Sequence, residues 1–379
     1  MPLIEVKGAL RIASPGYSGL VFISLKIPRR QGRTPIFQSP TANRTQEATL
    51  TKQFDYRPYR RQFRHSLQSP AGKWKAREGF ILRMENDDGL VGFGEVAPIP
   101  WFGTETLAAA ENFLERAAKG NSPSEVPAAL PCCRFAISCA SSVLRQDFLP
   151  PDGNRRNAAL LPPGRLALRR MSELSGLGFK TYKWKVGVLT FEEERRVFDE
   201  LMQELPTDGS LRLDANGAWD LLEAWQWLEY LEGNGRVEFV EDSLDPALWE
   251  ASFGLAEAFN VSLGLDLPVT HGFVSMLKQR KWPGFLILKP SLLGCLEELQ
   301  DMVNSFPNTM IFSSSLETCF GYEAVLRLAV AGTEQDAVLG MGGQDLFPND
   351  GLKLHAASCV VNAGSVGFDQ LEKAWAGLS

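Results

Sequence analysis

From residue 158 to about residue 340, short apolar runs recur at intervals of roughly 23–30 residues, each followed by a stretch with helical spacing. The runs begin near Ala158, Thr181, Leu211, Val237, Val261, Phe285, Thr309 and Ala337. Each is brief and lies among Gly, Pro and Asp, which is how a buried parallel strand reads. Between them, 191–205, 221–233 and 317–331 repeat apolar side chains three and four residues apart, the pattern of helices with one buried face. Eight such units in succession predict an α/β fold, a closed (β/α) barrel of the TIM type rather than an open sheet.

Upstream of this the texture differs. Residues 54–59, 79–84 and 90–96 read as strands of a hairpin or meander, and 106–119, ending at Gly120, and 131–145 read as helices. The pattern therefore predicts an α+β capping domain over 54–155 and a barrel over 156–345. A C-terminal segment, 346–379, is expected to return to the cap.

Charge changes the picture only at the N-terminus. The chain has 39 basic and 45 acidic residues and a net charge of −6, yet residues 1–53 carry eight basic residues against two acidic ones. From 29 to 53 the run is polar and has neither helical nor strand period, so 1–53 reads as a disordered leader outside any core. Its composition fits a transit peptide, a basic arm or an upstream start codon. The acidic remainder argues against nucleic acid as a partner. No run approaches the ~18–20 uncharged apolar residues of a spanning helix, so no membrane partner is expected either. Six cysteines without a CxxC pair fit a reduced, cytoplasmic setting, and three histidines without HExxH spacing argue against a conventional zinc hydrolase.

The chemistry gathers at strand ends. In a TIM-type barrel the carboxyl ends of the strands form the active site, and here consecutive strand ends carry ionisable residues. Strand two ends with Lys183-Trp184-Lys185, strand three with Asp214-Ala215-Asn216, strand four with Glu241, strand five with Asp266 and strand six with Lys289. Side chains alternate along a strand, so Lys183 and Lys185 share a face, as do Asp214 and Asn216. Three carboxylates converging from adjacent strands repel one another unless a cation joins them, and Mg2+ is the ordinary hard cation for oxygen ligands. Lys185 and Lys289 stand on either side.

These motifs resemble the enolase superfamily, and within it the o-succinylbenzoate synthase family. The likeness runs from about Tyr56 to Gly343. It is carried by Tyr56-Arg57-Pro58-Tyr59, Gly94-Glu95-Val96-Ala97-Pro98-Ile99-Pro100, Lys183-Trp184-Lys185-Val186-Gly187, Asp214-Ala215-Asn216-Gly217, Lys289-Pro290 and Ser313-Ser314-Ser315-Leu316-Glu317. The chain departs from the family at Glu241-Asp242-Ser243, where Glu-Glu-Pro is common, and at Asp266-Leu267-Pro268, where Asp-Glu-Ser is common. The ligands survive both changes, but the groups that orient them differ.

The resemblance implies a hydro-lyase of menaquinone and phylloquinone biosynthesis. Its substrate is a small-molecule carboxylate, 2-succinyl-6-hydroxy-2,4-cyclohexadiene-1-carboxylate, which loses water to give 2-succinylbenzoate. Asp214, Glu241 and Asp266 are then the ligands of Mg2+, which stabilises the enediolate. The pairing of a lysine base with Mg2+ is a general feature of enolase-superfamily sites and comes with the resemblance, not from the spacing. Lys185 is assigned as base and then acid, Lys289 as electrostatic stabiliser, and Lys183 as the neighbour that lowers the pKa of Lys185. Asn216, Ser313, Ser314, Ser315, Glu317, Gly340 and Met341 are assigned to the substrate, with the amides of the 313–315 turn on the succinyl carboxylate. Other superfamily activities remain alternatives: a dipeptide epimerase, an N-acylamino acid racemase or a muconate cycloisomerase. So does a non-catalytic barrel. The cap segment 61–75 and the turn 313–317 are where these would differ. Gly92-Phe93-Gly94-Glu95-Val96-Ala97 also matches a dinucleotide fingerprint, but Pro98 and Pro100 forbid the helix that must follow.

Overall fold

The structure is a computed structural model that describes residues 3–14, 17–28, 53–69, 72–120, 125–146, 152–306, 309–354 and 357–378. The chain divides into two units, 1–38 and 39–379. In the first, Leu3–Ser14 and Tyr17–Pro28 pair antiparallel as a hairpin, Leu3 opposite Pro28 and Ser14 opposite Tyr17. Part of the expected disordered leader therefore carries regular structure. The run Leu20-Val21-Phe22-Ile23-Ser24-Leu25, rich in β-formers, is the sequence feature behind it. Residues 29–52 of that expectation lie outside the described residues.

In the second unit the barrel closes strand by strand. Parallel pairing joins Ala159–Leu161, Thr181–Lys185, Ser210–Asp214, Val237–Glu241, Leu263–Leu265, Phe285–Leu288 and Met310–Phe312 in sequence order. A parallel bridge between Ser313 and Gly340 adds Val338–Leu339 as the eighth strand. That strand pairs with Gly153–Asn157, which runs through Ala158 into the first strand and so closes the ring. Helices Phe191–Glu204 and Leu221–Leu231 bury the expected apolar faces, and the first opens with a capping box from Thr190 and Glu193.

The cap is a three-stranded antiparallel sheet of Gln53–Ser69, Gly72–Glu85 and Val91–Val96, covered by helices Leu107–Lys119 and Pro131–Arg145. In segment 61–75, residues 61–69 and 72–75 belong to the paired strands of the long hairpin, with a register shift between Gln62 and Leu67, and 70–71 lie outside the described residues. The fingerprint glycines have a packing role. A Cβ on Gly92 would lie 2.1 Å from the Ala140 carbonyl oxygen, and one on Gly94 would lie 2.1 Å from that of Ala136. Glycine lets the strand lie directly on the helix.

Cap and barrel are joined by buried polar groups. The carboxylate of Glu95, at the end of the third cap strand, accepts from Thr318 N at 3.0 Å, Gly321 N at 2.9 Å, the Thr318 hydroxyl at 2.5 Å and the Tyr59 hydroxyl at 2.6 Å. It thus caps the barrel helix Cys319–Gly332, where the amides carry partial positive charge. That helix begins two residues later than 317, because Thr318 takes the N-cap position. Trp375, on the last helix Phe368–Ala376, belongs to the same core as Tyr59 and Ile81 of the cap. Glu95→Ala strands four donors in a dry seam and is expected to destabilise the protein by about 3 kcal/mol or more. Urea unfolding checks this, and an unmoved midpoint would show that the seam does not depend on Glu95.

Candidate active site

The mouth of the barrel assembles the charged residues in strand order. Lys183 and Lys185 both turn toward strand three. The Lys183 ammonium lies 2.6 Å from Glu241 Oε1 and 3.2 Å from Asp214 Oδ2, and that of Lys185 lies 3.8 Å from Asp214 Oδ1. Lys289 donates to Asp266 Oδ2 and lies 4.9 Å from the centre of the Phe102 ring, which the cap lowers toward the mouth. Strands two and six are four places apart in a ring of eight, so Lys185 and Lys289 stand on opposite sides of the three carboxylates.

Charges here are set by burial against ion pairing. Burial raises the Asp214 carboxyl, but Lys183 and then Lys185 outweigh it and hold its pKa at about 2. Burial raises Glu241 to about 7, with Lys183 opposing and Asp214 and Asp266 adding to the rise. Burial works against the Lys183 ammonium, yet Asp214, Glu241 and Asp266 outweigh it and leave its pKa raised. The charge of Lys183 is therefore engaged by Asp214 and Glu241, and is not simply set against Lys185 as the sequence suggests.

Asp242 is an addition to the expected set. Alternation puts neighbours on opposite faces, but Asp242 leaves the strand in the left-handed conformation (φ 46°), which breaks the alternation at the strand's end. Its carboxylate accepts from Asp266 N at 2.9 Å and Leu267 N at 3.1 Å, and so fixes the backbone that carries Asp266. The orienting group for Asp266 thus comes from strand four. Carboxylate oxygens of Glu241, Asp242 and Asp266 lie within 4.8 Å of one another. Asp266 Oδ1 is buried without a hydrogen-bond partner among the described residues. An unpaired carboxylate oxygen beside two other buried acids fits a cation.

The loop after Lys185 is held by a group that the strand-end pattern does not reveal. Glu194, fully buried, accepts from the amides of Gly187, Val188 and Leu189 at 2.8, 3.0 and 3.1 Å. Gly187 takes φ 75° there, and a Cβ on it would lie 2.7 Å from that of Ala218. An acidic residue in the first turn of a helix after a glycine loop is the signal that the sequence does carry.

The turn after strand seven corrects an expectation. Its three amides are expected to bind a substrate carboxylate, but all are engaged within the protein. Ser313 N donates to Leu288 O at 2.8 Å, Ser314 N to Gly340 O at 3.1 Å, and Ser315 N to both oxygens of Glu317 at 3.0 Å. The helix N-terminus behind that expectation is taken by Glu95. Glu317 is fully buried and faces the serines rather than solvent. Met341 is also buried, its N donating to Asn157 Oδ1 at 2.8 Å and its O accepting from the Tyr322 hydroxyl at 2.7 Å. A Cβ on Gly340 would lie 3.1 Å from Ser313 Oγ. Asn216 is exposed, in the left-handed conformation at φ 51°, two residues beyond Asp214.

Comparison with known proteins decides among the superfamily alternatives. A family described as "Enolase C-terminal domain-like" matches residues 167–291, and one described as "MenC, N-terminal domain" matches residues 67–144. An o-succinylbenzoate synthase of Thermosynechococcus vestitus is 34% identical over 284 residues, 73% of this chain and 88% of that protein. The chain belongs to the o-succinylbenzoate synthase family. The synthase of Proteus mirabilis is 32% identical over 285 residues, 72% of this chain and 84% of its own. Among solved structures, the o-succinylbenzoate synthase of Thermosynechococcus elongatus BP-1, complexed with Mg in its active site, superimposes with a TM-score of 0.75. It is 32% identical and covers 86% of this chain and 100% of its own. The L-Ala-D/L-Glu epimerase of Bacillus subtilis shares the fold, with a TM-score of 0.69 at 16% identity, over 83% of this chain and 96% of its own. No helix among the described residues is long and apolar enough to cross a membrane.

Proposed function

We propose that this member of the synthase family dehydrates 2-succinyl-6-hydroxy-2,4-cyclohexadiene-1-carboxylate to 2-succinylbenzoate with Mg2+ as cofactor, and that Lys185, Asp214, Glu241, Asp266 and Lys289 carry the reaction. The observation behind this reading is the pair of ammonium groups on strands two and six, opposed across buried carboxylates of strands three, four and five.

Asp214, Glu241 and Asp266 would hold the cation, and Asp242 would hold Asp266 in place through its amide. Bound there, Mg2+ supplies positive charge opposite the ring carboxylate, which makes the adjacent carbon acid strong enough for an amine base. Lys185 takes the proton from that carbon. The C–H electron pair becomes the new ring double bond as the C–O bond to the neighbouring hydroxyl breaks. Lys185 then returns its proton to the departing oxygen on the same face, so that water leaves and the base is restored. Lys289, from the opposite side, places a fixed positive charge near the carboxylate while negative charge builds on it. Loss of ring absorbance from the cyclohexadiene, followed with and without EDTA, tests the reading. It is overturned if the protein leaves that substrate untouched in Mg2+ but rapidly exchanges the α-proton of N-acylamino acids in D2O.

A further inference from the structure

Backbone pairing between strands six and seven ends short of the chemistry. Leu288 pairs with Phe312, and Ser313 N reaches Leu288 O at 2.8 Å. The next residue on strand six is Lys289, and Pro290 after it has no N–H to continue the ladder. From here side chains take over. Ser291, fully buried in the turn Pro290–Leu292, donates its hydroxyl to Glu317 Oε1 at 2.5 Å and lies 2.7 Å from the Ser315 hydroxyl. Glu317 further accepts from Ser315 Oγ at 2.8 Å and Ser314 Oγ at 2.6 Å, besides the Ser315 amide.

Glu317 has little freedom to give way. Leu316 is folded into the left-handed conformation at φ 68°, which turns Glu317 back onto Ser315. Two buried arginines of the cap hold the same turn from outside: Arg77 Nε donates to Ser315 O at 3.2 Å, and Arg61 Nη1 to Glu317 O at 3.1 Å. A buried carboxylate satisfied, among the described residues, by hydroxyls and an amide alone is a demanding group to retain, and its hydrogen bonds are of the strong, charge-assisted kind.

We propose that Glu317 is a positioning residue for Lys289: through Ser291 it fixes the turn that sets where the Lys289 ammonium stands, without touching substrate itself. The proposal rests on the role given to Lys289 above. A displacement of about 1 Å at a reacting centre costs on the order of 10²-fold in rate. Glu317→Gln keeps the side chain's size but weakens the hold on the serines, and should lower kcat by on the order of 10- to 10²-fold. KM and the calorimetric affinity for Mg2+ should stay within about twofold.

The test is a double-mutant cycle with Lys289→Ala. If Glu317 acts through Lys289, adding Glu317→Gln to Lys289→Ala changes kcat no further. An equal loss in both backgrounds overturns the proposal, because it would place Glu317 in the general upkeep of the barrel. A wild-type kcat for Lys289→Ala would instead overturn the role of Lys289, so the two failures are distinguishable. If Glu317→Gln is insoluble, Ser291→Ala is carried through the same cycle, with the same two outcomes.

Discussion

Lys185→Ala is expected to lose nearly all turnover, on the order of 10⁴-fold or more, because one side chain serves as base in its amine form and as acid in its ammonium form. Lys289→Ala should keep a measurable remnant, with a loss on the order of 10²–10³, since it removes a stabilising charge but no proton carrier. The environments of the two lysines differ in the same sense. Lys185 stands 3.8 Å from Asp214, one-third exposed at the mouth, where a base must meet its substrate. Lys289 is 12% exposed, paired with Asp266 and close to the Phe102 ring, where a fixed charge is little screened by water. Single-turnover kinetics with each variant separate the roles, and exchange in D2O adds a second check. Solvent exchange of the α-proton of unreacted substrate should vanish in Lys185→Ala and persist in Lys289→Ala. Equal losses in both variants, with exchange abolished in both, would mean that Lys289 also carries a proton.

Much of the fold is legible in the sequence. Barrel strands expected near Thr181, Val237 and Phe285 begin at those residues, because short apolar runs between turn-forming residues leave few other readings. The convergence of carboxylates and lysines at the mouth can be read from register alone, since strands one barrel unit apart end at the same height. What cannot be read depends on backbone conformation and on contacts distant in sequence. Asp242 breaks the alternation rule through one left-handed residue. Ser291 follows a proline in a short turn, and nothing local marks it as a tie to strand seven. Glu95 reaches a helix that begins 224 positions further along the chain, so its role as a cap lies in tertiary structure alone. The serine turn misleads for a related reason: small polar residues before a helix suggest free amides, and only the fold reveals that the carbonyls of Leu288 and Gly340 and the carboxylate of Glu317 take those of the turn, and Glu95 those of the helix behind it.

Mg2+ titration of single variants should rank the acids at the mouth. Glu241→Gln and Asp266→Asn are expected to abolish both activity and measurable Mg2+ binding, because each removes an anionic oxygen from the centre of the cluster. The informative pair is Asp214→Asn and Asp242→Asn. Asp214 shares the Lys183 ammonium with Glu241, and Asp242 lies against Glu241 and Asp266, but their oxygens are committed differently. Those of Asp214 face two ammonium groups, which can move aside as a cation arrives and takes over their charge balance; Oδ1 also accepts from Asn216 N at 3.1 Å, while Oδ2 has no backbone amide among the described residues. Both of those of Asp242 accept from backbone amides, Asp266 N and Leu267 N, so binding metal would loosen its hold on the backbone that carries Asp266. Asparagine retains one acceptor oxygen at position 242 and can preserve part of that support. Asp214→Asn should therefore weaken Mg2+ by well over tenfold, and Asp242→Asn by less, toward the lower end of the roughly 10–100-fold cost typical of removing an orienting partner. Calorimetry on the purified variants, with each checked for an unchanged unfolding midpoint, gives the ranking directly. The reverse order would move the site to Glu241, Asp242 and Asp266, the three acids whose oxygens already lie within 4.8 Å of one another. Asp214 would then serve to hold Lys183 and Lys185 rather than the metal.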